Sequence, residues 1–359
     1  MRSLNLKFIN SVRLTPALAS SLKRIGEYQG MQALFARQTP EILDSLRRVA
    51  RIESSESSNR IEGVSVPRDR VRALMDDDTK PLDRSEQEIA GYRDALGFIH
   101  ESAEYVALSI HTIKELHSIL FRYQPAESGQ WKRVDNKIIE MAPDGAIAEI
   151  RFHPVPAAET EAAMEELVRD HDLAVHQYHL EPLIVIPLTV LDFLCIHPFA
   201  DGNGRLSRLL TLLLLYHAGH QVGRYISIER IIEESKKTYY EALKASSQGW
   251  HEGTHDPYPW IDYSWGVLLR AYREFEERVG EIRTKKLSKT DQIRMAVDRR
   301  VGPFAISDIE ADCPHISRDM IKLVLRDLRD DGVIAAQGKG RGAKWIRAVP
   351  ASESVRDDG

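Results

Sequence analysis

The sequence predicts a mainly α-helical protein with one short β-hairpin inside its body and a small helix-and-strand unit near its C-terminal end. Apolar residues recur at three- and four-residue spacing over most of the chain, and strand-like alternation is confined to residues 131–152. Beyond residue 282 three helical segments give way to two short strands around a glycine-rich turn.

Composition bounds the function classes. The chain has 359 residues, 43% hydrophobic and 29% charged, the balance of a packed globular protein rather than a disordered or fibrous one. The first fifteen residues lack the continuous apolar stretch of a secretory signal. The two most apolar segments, residues 183–196 and 209–216, are too short and too interrupted to span a bilayer, so both read as buried helices. Two cysteines, Cys195 and Cys313, fit no metal-ligand spacing and read as buried thiols of a reducing compartment. The expectation is a cytoplasmic protein with no membrane partner. Net charge is uneven: residues 282–347 hold 15 Lys+Arg against 9 Asp+Glu, so a basic segment follows an acidic body.

Along the chain, residues 16–73 read as helical, with a serine-rich stretch at 51–60 closed by Ile61, Glu62 and Gly63, the glycine suiting a left-handed cap. Two amphipathic helices follow within residues 85–124. The hairpin carries Ile138 and Ile139, a Pro143-Asp144-Gly145 turn, then Ile147 and Ile150. Helical spacing resumes at 157–174, and helices pass through 239–245 and 260–282. Residues 282–288 are charged without a core pattern and read as a linker. Helices at 290–301, 306–312 and 317–331 and strands at 333–336 and 344–348 complete the chain. That last order resembles a winged helix-turn-helix. The expected domains are a helical N-terminal region (1–84), a catalytic core (85–281), the winged unit (282–348) and a tail (349–359).

Residues 197–208, His-Pro-Phe-Ala-Asp-Gly-Asn-Gly-Arg-Leu-Ser-Arg, lie between the two apolar helices and are the most informative stretch. Gly202 and Gly204 let the backbone bend and approach a ligand, and Gly204 opens a helix whose unpaired amides favour an anion. Arg205 and Arg208, three apart, are expected to project together and fork onto phosphate oxygens. Asp201 is a hard oxygen ligand suited to Mg²⁺ (or Mn²⁺), and Asn203 offers amide donors to phosphate. His197 is left to act as a base.

Together these residues match the signature His-x-Phe-x-Asp/Glu-Gly-Asn-Gly-Arg-x-x-Arg, and the chain resembles the Fic family from about residue 14 to 279. The resemblance implies the Fic helical fold with a hairpin flap, and transfer of AMP from ATP to Ser, Thr or Tyr of a target protein. Carried over by position, it makes His197 the base, Asp201 the metal ligand, Phe199 a packing residue of the loop, and Gly202, Asn203, Gly204 and Arg205 the holders of the α- and β-phosphates. Arg208 resembles the arginine that reaches the γ-phosphate, and Tyr239 and Tyr240 resemble residues beside the adenosine. Ser247 stands where some relatives have Asn. A related branch that phosphorylates its targets has Lys at the position of Gly204, which favours adenylylation over kinase chemistry here, with phosphocholine transfer a remote third.

Ser58 and Glu62, one helical turn apart and followed by Gly63, resemble the family's inhibitory Ser/Thr-x-x-x-Glu-Gly/Asn motif. The resemblance implies that Glu62 pairs with Arg208 and takes the space of the γ-phosphate. In some relatives the same glutamate serves a reverse, de-AMPylating hydrolysis, which the sequence does not decide. Ile138 and Ile139 fall on the flap that holds the target segment. His171, His176 and His179 lie on a polar stretch that reads as a solvated helix rather than a metal centre. In the basic unit Arg318, Lys322, Arg326 and Arg329 recur at helical spacing and Lys339, Arg341 and Lys344 sit on the wing, which suits DNA phosphates. A protein-binding or dimer-forming role fits the same unit, so a DNA-binding regulator with a nucleotide-sensing body is the rival expectation, and a homodimer a further partner.

Overall fold

The computed structural model describes residues 2–38, 40–75, 79–124, 128–141, 147–286, 288–298, 300, 303–338 and 344–347. The chain forms two compact units, Met1–Glu276 and Glu277–Gly359. The Pro143-Asp144-Gly145 turn, Lys339 and Arg341 of the wing, and the tail lie outside the described residues.

The first unit is helical. A short α1 (Leu6–Ile9), absent from the sequence expectation, precedes α2 (Pro16–Gln38), α3 (Pro40–Ile61), α4 (Arg68–Leu74), α5 (Arg84–Ser102) and α6 (Ile110–Leu120). Then come the hairpin β1 (Ile138–Met141) and β2 (Ile147–Phe152), α7 (Thr160–Asp172), α8 (Pro182–Ile196), α9 (Asn203–His217), α10 (Ile228–Glu234), α11 (Lys236–Ser247) and α12 (Tyr258–Lys286). The hairpin is antiparallel, with Ile138 opposite Phe152 and Ile139 opposite Ile150.

Helix α8 is the spine of this unit. From Leu183 on, every residue but Ile184 is buried, so its driving force is removal of apolar surface from water. Pro187 lacks the N–H that would bond the Leu183 carbonyl, and the indole of Trp265 donates to that carbonyl instead at 2.7 Å. The buried Asp192 on the same helix accepts from Ser3 N (3.1 Å) and Trp250 Nε1 (2.5 Å), which ties the N-terminal residues to α8.

Helix α3 is built differently. Its serine-rich stretch is not a solvated end: Ser54, Ser55, Ser57, Ser58 and Asn59 are at most 2% exposed. Ser54 Oγ donates to the buried Glu229 (2.6 Å), Arg60 reaches Glu233 through Nε (2.5 Å) and Nη2 (2.7 Å), and Lys236 Nζ caps the Ile61 carbonyl (2.6 Å). Gly63 follows in the left-handed region (φ 86°), as expected of the cap.

The second unit contains the end of α12, then α13 (Lys289–Asp298), α14 (Ile306–Asp312), α15 (Arg318–Asp330) and the antiparallel pair β3 (Ile334–Gln337) and β4 (Lys344–Arg347). Ile293, Val297, Phe304, Ile309, Ile321, Leu325 and Ile334 share its core, and Ser317 caps α15 by accepting from Met320 N. The expected linker at 282–288 is corrected: α12 continues to Lys286, because a helix satisfies its own backbone bonds and a charged sequence without a core pattern is compatible with one.

Candidate active site

The end of α8 sets the first side chain. His197 is its C-cap and adopts the left-handed region (φ 50°, ψ 63°), uncommon for a non-glycine residue. Its backbone N–H bonds Phe193 O at 2.9 Å and its Nδ1 lies 3.3 Å from Leu194 O. A carbonyl only accepts, so Nδ1 carries the proton and Nε2 of the neutral ring is the basic nitrogen. Surrounding protein desolvates the imidazole and lowers its pKa to about 4, so it is neutral at pH 7.

The loop after His197 is clamped from several elements. Asn203 closes it from within, Oδ1 accepting from Phe199 N (3.0 Å) and Nδ2 donating to Phe199 O (2.8 Å). Asn136 Nδ2 donates to His197 O (3.3 Å) and Phe199 O (3.1 Å), and Lys132 Nζ donates to Ile196 O (3.0 Å). His117 accepts from Gly129 N at Nδ1 (3.0 Å), so its Nε2–H donates to Asp201 O (3.2 Å), while its ring stacks on the buried Phe199 at 3.8 Å. A loop held at so many carbonyls is preorganised before any ligand arrives.

Gly202 is the N-cap of α9 with φ 80°, and no side chain caps that helix. Its first amides therefore remain available to an anion, with the helix dipole behind them. Asp201 stands at the lip, its side chain 48% exposed and its Oδ1 accepting from Gly202 N at 2.6 Å.

Glu62 enters from the end of α3. Its carboxylate meets Arg208 Nη2 at 2.8 Å and lies directly over Gly204, where an added Cβ would collide with Glu62 Oε1. Arg208 also donates to Ser58 through Nε to Oγ (2.9 Å) and Nη2 to O (2.9 Å), and its buried Nη1 has no hydrogen-bond partner among the described residues. Burial opposes its charge, but Glu62 and the nearby Tyr239 and Tyr92 hydroxyls raise its pKa above the ordinary value.

A cavity of about 650 Å³ opens here. It is lined by Glu62, Ile138, Ile139, His197, Asp201, Gly202, Asn203, Gly204, Tyr239, Tyr240 and Ser247 of the residues singled out in sequence. Three expectations are corrected. Arg205 and Arg208 do not fork together into it: Arg205 is 2% exposed and turns to Glu88 (2.7 Å), Asn59 (3.3 Å) and the ring of Phe121. Helical spacing places two residues on one side, but the partner each finds is set by tertiary packing. Asn203 does not present its amide to the cavity, since both amide atoms are engaged within the loop. His171 is not solvated; it is 7% exposed and bonds Thr189, whereas His176 and His179 face solvent, and among the described residues no group of three metal-binding side chains occurs.

Sequence reasoning missed Arg151 and Lys244 on the cavity wall and the supports His117, Asn136, Lys132 and Glu88. One signal was legible: His117 falls on the apolar face of α6 between Ile113 and Leu120, where a histidine needs hydrogen-bond partners. In the second unit, the basic side chains of α15 are largely paired, Arg318 with Glu310 (2.8 Å), Lys322 with Asp319 (3.3 Å) and Arg329 with Asp330 (2.7 Å). Cys195 and Cys313 are buried free thiols, and among the described residues no helix is long and apolar enough to cross a membrane.

Residues 107–215 match the Fic/DOC family. The chain is 26% identical over 254 residues to a protein of Drosophila sechellia named protein adenylyltransferase Fic, covering 65% of this chain and 48% of that protein. The protein of the same name from Drosophila willistoni is 28% identical over 195 residues, covering 53% and 35%. The chain thus spans half or less of the length of the curated relatives it matches. In fold it is similar to a Fic family protein from Desulfovibrio desulfuricans G20 (TM-score 0.62, 21% identity, 95% of this chain and 98% of that one). It is also similar to Fic-1 of C. elegans (TM-score 0.57, 20% identity, 75% and 74%).

Proposed function

We propose that this chain transfers AMP from ATP to a hydroxyl side chain of a target protein, and that Glu62 holds it inactive. The observation that carries the reading is the placement of Glu62 over Gly204 and on Arg208, where a carboxylate occupies the anion site of a preorganised loop. The name of the Drosophila relatives supports the transferase reading.

In this reading the phosphates lie against the open amides at the start of α9, and the unpartnered Nη1 of Arg208 awaits an oxygen once Glu62 withdraws. Asp201, a half-exposed carboxylate at the lip of the loop, would hold a Mg²⁺ (or Mn²⁺). The bound ion would neutralise developing phosphate charge. His197 Nε2 accepts the proton of the target hydroxyl as that oxygen bonds the α-phosphorus and the bond to the β-phosphate oxygen breaks, releasing pyrophosphate. The adenosine side falls to Tyr239 and Tyr240, which line the cavity at 5.1 Å from each other. The hairpin's two strands pair only with each other among the described residues, which leaves an edge for a target strand beside the exposed Ile139.

The test is labelling of lysate protein by the Glu62→Gly variant with ATP labelled at the α- or the γ-phosphate, with and without His197→Ala. We expect label from the α-position only, reduced about 10²- to 10⁴-fold by His197→Ala. Transfer of the γ-label, or labelling indifferent to His197→Ala, overturns the reading.

A further inference from the structure

A second cavity, of about 770 Å³, lies on the other flank of α3, away from the loop. Its wall holds Arg47, Arg48 and Arg51 of α3, Arg72 of α4, Arg224 from the turn after α9, and His100 of α5, with Glu101 as the one carboxylate among the described residues that line it. Among the described residues none of Arg48, Arg51, Arg72 and Arg224 pairs with a carboxylate, and Arg47 meets only the exposed Asp44. The buried Arg51 Nε and His100 Nε2 have no hydrogen-bond partner among the described residues.

Five guanidinium groups around one cavity repel one another, and two orphaned buried nitrogens leave desolvation uncompensated. The convergence is real at the level of the field: burial first, then Arg224, Arg51 and Arg47, lower the pKa of His100 to about 3. Among the described residues only the Arg47–Asp44 pair offsets it. Arg224 is held in place by Gln221 (2.5 Å) and the His100 carbonyl and lies over the Tyr216 ring, while Arg47 donates to the Tyr225 hydroxyl (3.2 Å). The fork geometry of guanidinium suits phosphate oxygens, and a charge this concentrated suits more than one phosphate.

We propose that this cavity binds a small soluble anion carrying two or more phosphate groups. Bound there, the anion bridges α3 to α4, to α5 and to the turn bearing Arg224. Its binding energy adds to the stability of α3 in its docked position. Where Glu62 at the end of α3 is the brake, a consequence that rests on the function proposed above, the anion reinforces the brake from a site remote from the chemistry.

The experiment is calorimetric titration of the whole chain with inorganic tripolyphosphate, together with hydrogen exchange of the α3 amides; neither readout depends on AMP transfer. We expect saturable binding, weakened at least tenfold by the double substitution of two exposed residues, Arg48→Glu with Arg72→Glu, and slower exchange across residues 51–61 on binding. Equal affinity in the double variant would assign the anion to the catalytic loop and overturn the proposal. So would absence of binding in the wild type with binding in a chain carrying Asp76→Asn, Asp77→Asn and Asp78→Asn, because the cavity would then serve the chain's own acidic run.

Discussion

Helices α8 and α3 both lead into the candidate site, and they are held by opposite physics. Helix α8 is apolar on all sides, and its contacts come from burial that nothing in the site reverses. Helix α3 also buries Leu43, Leu46, Ala50 and Ile61, but its end nearest the site docks through serines, an asparagine and ion pairs, with Ser54 on Glu229, Arg60 on Glu233 and Glu62 on Arg208. In the function proposed above, it is this polar end of α3 that must release its partners, while α8 stays. In that reading the base, His197, belongs to the apolar helix and the brake, Glu62, to the polar end of α3.

The sharpest way to break this contrast is to truncate one residue of each helix. Phe193→Ala on α8 is expected to cost about 3–5 kcal/mol, as for a fully buried aromatic side chain in a tight core. Ser54→Ala on α3 is expected to cost about 1–2 kcal/mol, the worth of a hydrogen bond to a buried carboxylate. Denaturant unfolding measures both. Equal losses would mean that α3 is as much a part of the core as α8.

A further effect comes from pH. His171, His220 and His255 are buried, and burial lowers each pKa to about 4 from the ordinary 6.5. A depressed histidine pKa contributes stability that is complete above the unfolded value and lost as pH falls through the folded one. Each removes about 1.4 kcal/mol per pH unit between 6.5 and 4. Asp192 runs the other way: burial raises its pKa to about 6, so its contribution grows as pH falls from 6 toward 4 and offsets one histidine. His100, His117 and His197 are lowered by burial in the same way, so stability measured from pH 7 to 4 should fall with a net slope near five protons. A flat profile would contradict the buried, neutral state of these rings.

Much of the site was legible in the sequence because its chemistry is local. The left-handed turn at Gly202, the open helix start and the spacing of Ser58 and Glu62 depend on residues within a few positions of one another. What escaped depended on partners far along the chain. Arg205 turns to Glu88, 117 residues away, and Asn59, 146 away, and no periodicity announces either. Asn203 fits both a phosphate donor and a loop clamp by residue type, and only the distance to Phe199 distinguishes them. The burial of the serine-rich end of α3 was not legible, because small polar residues suit both a surface and a close polar interface. The linker was misplaced because a charged stretch without a core pattern is as compatible with a helix as with a linker.

The central claim is that a fixed site is held off by one exchangeable carboxylate. It is tested most directly by comparing the rate of α-labelled ATP incorporation by the wild type and by Glu62→Gly, with the fold of both verified by thermal unfolding. A rise of about tenfold or more with little change in melting temperature is predicted, since the pair is one partly exposed contact among several on α3. An unchanged rate in a folded Glu62→Gly chain would contradict it.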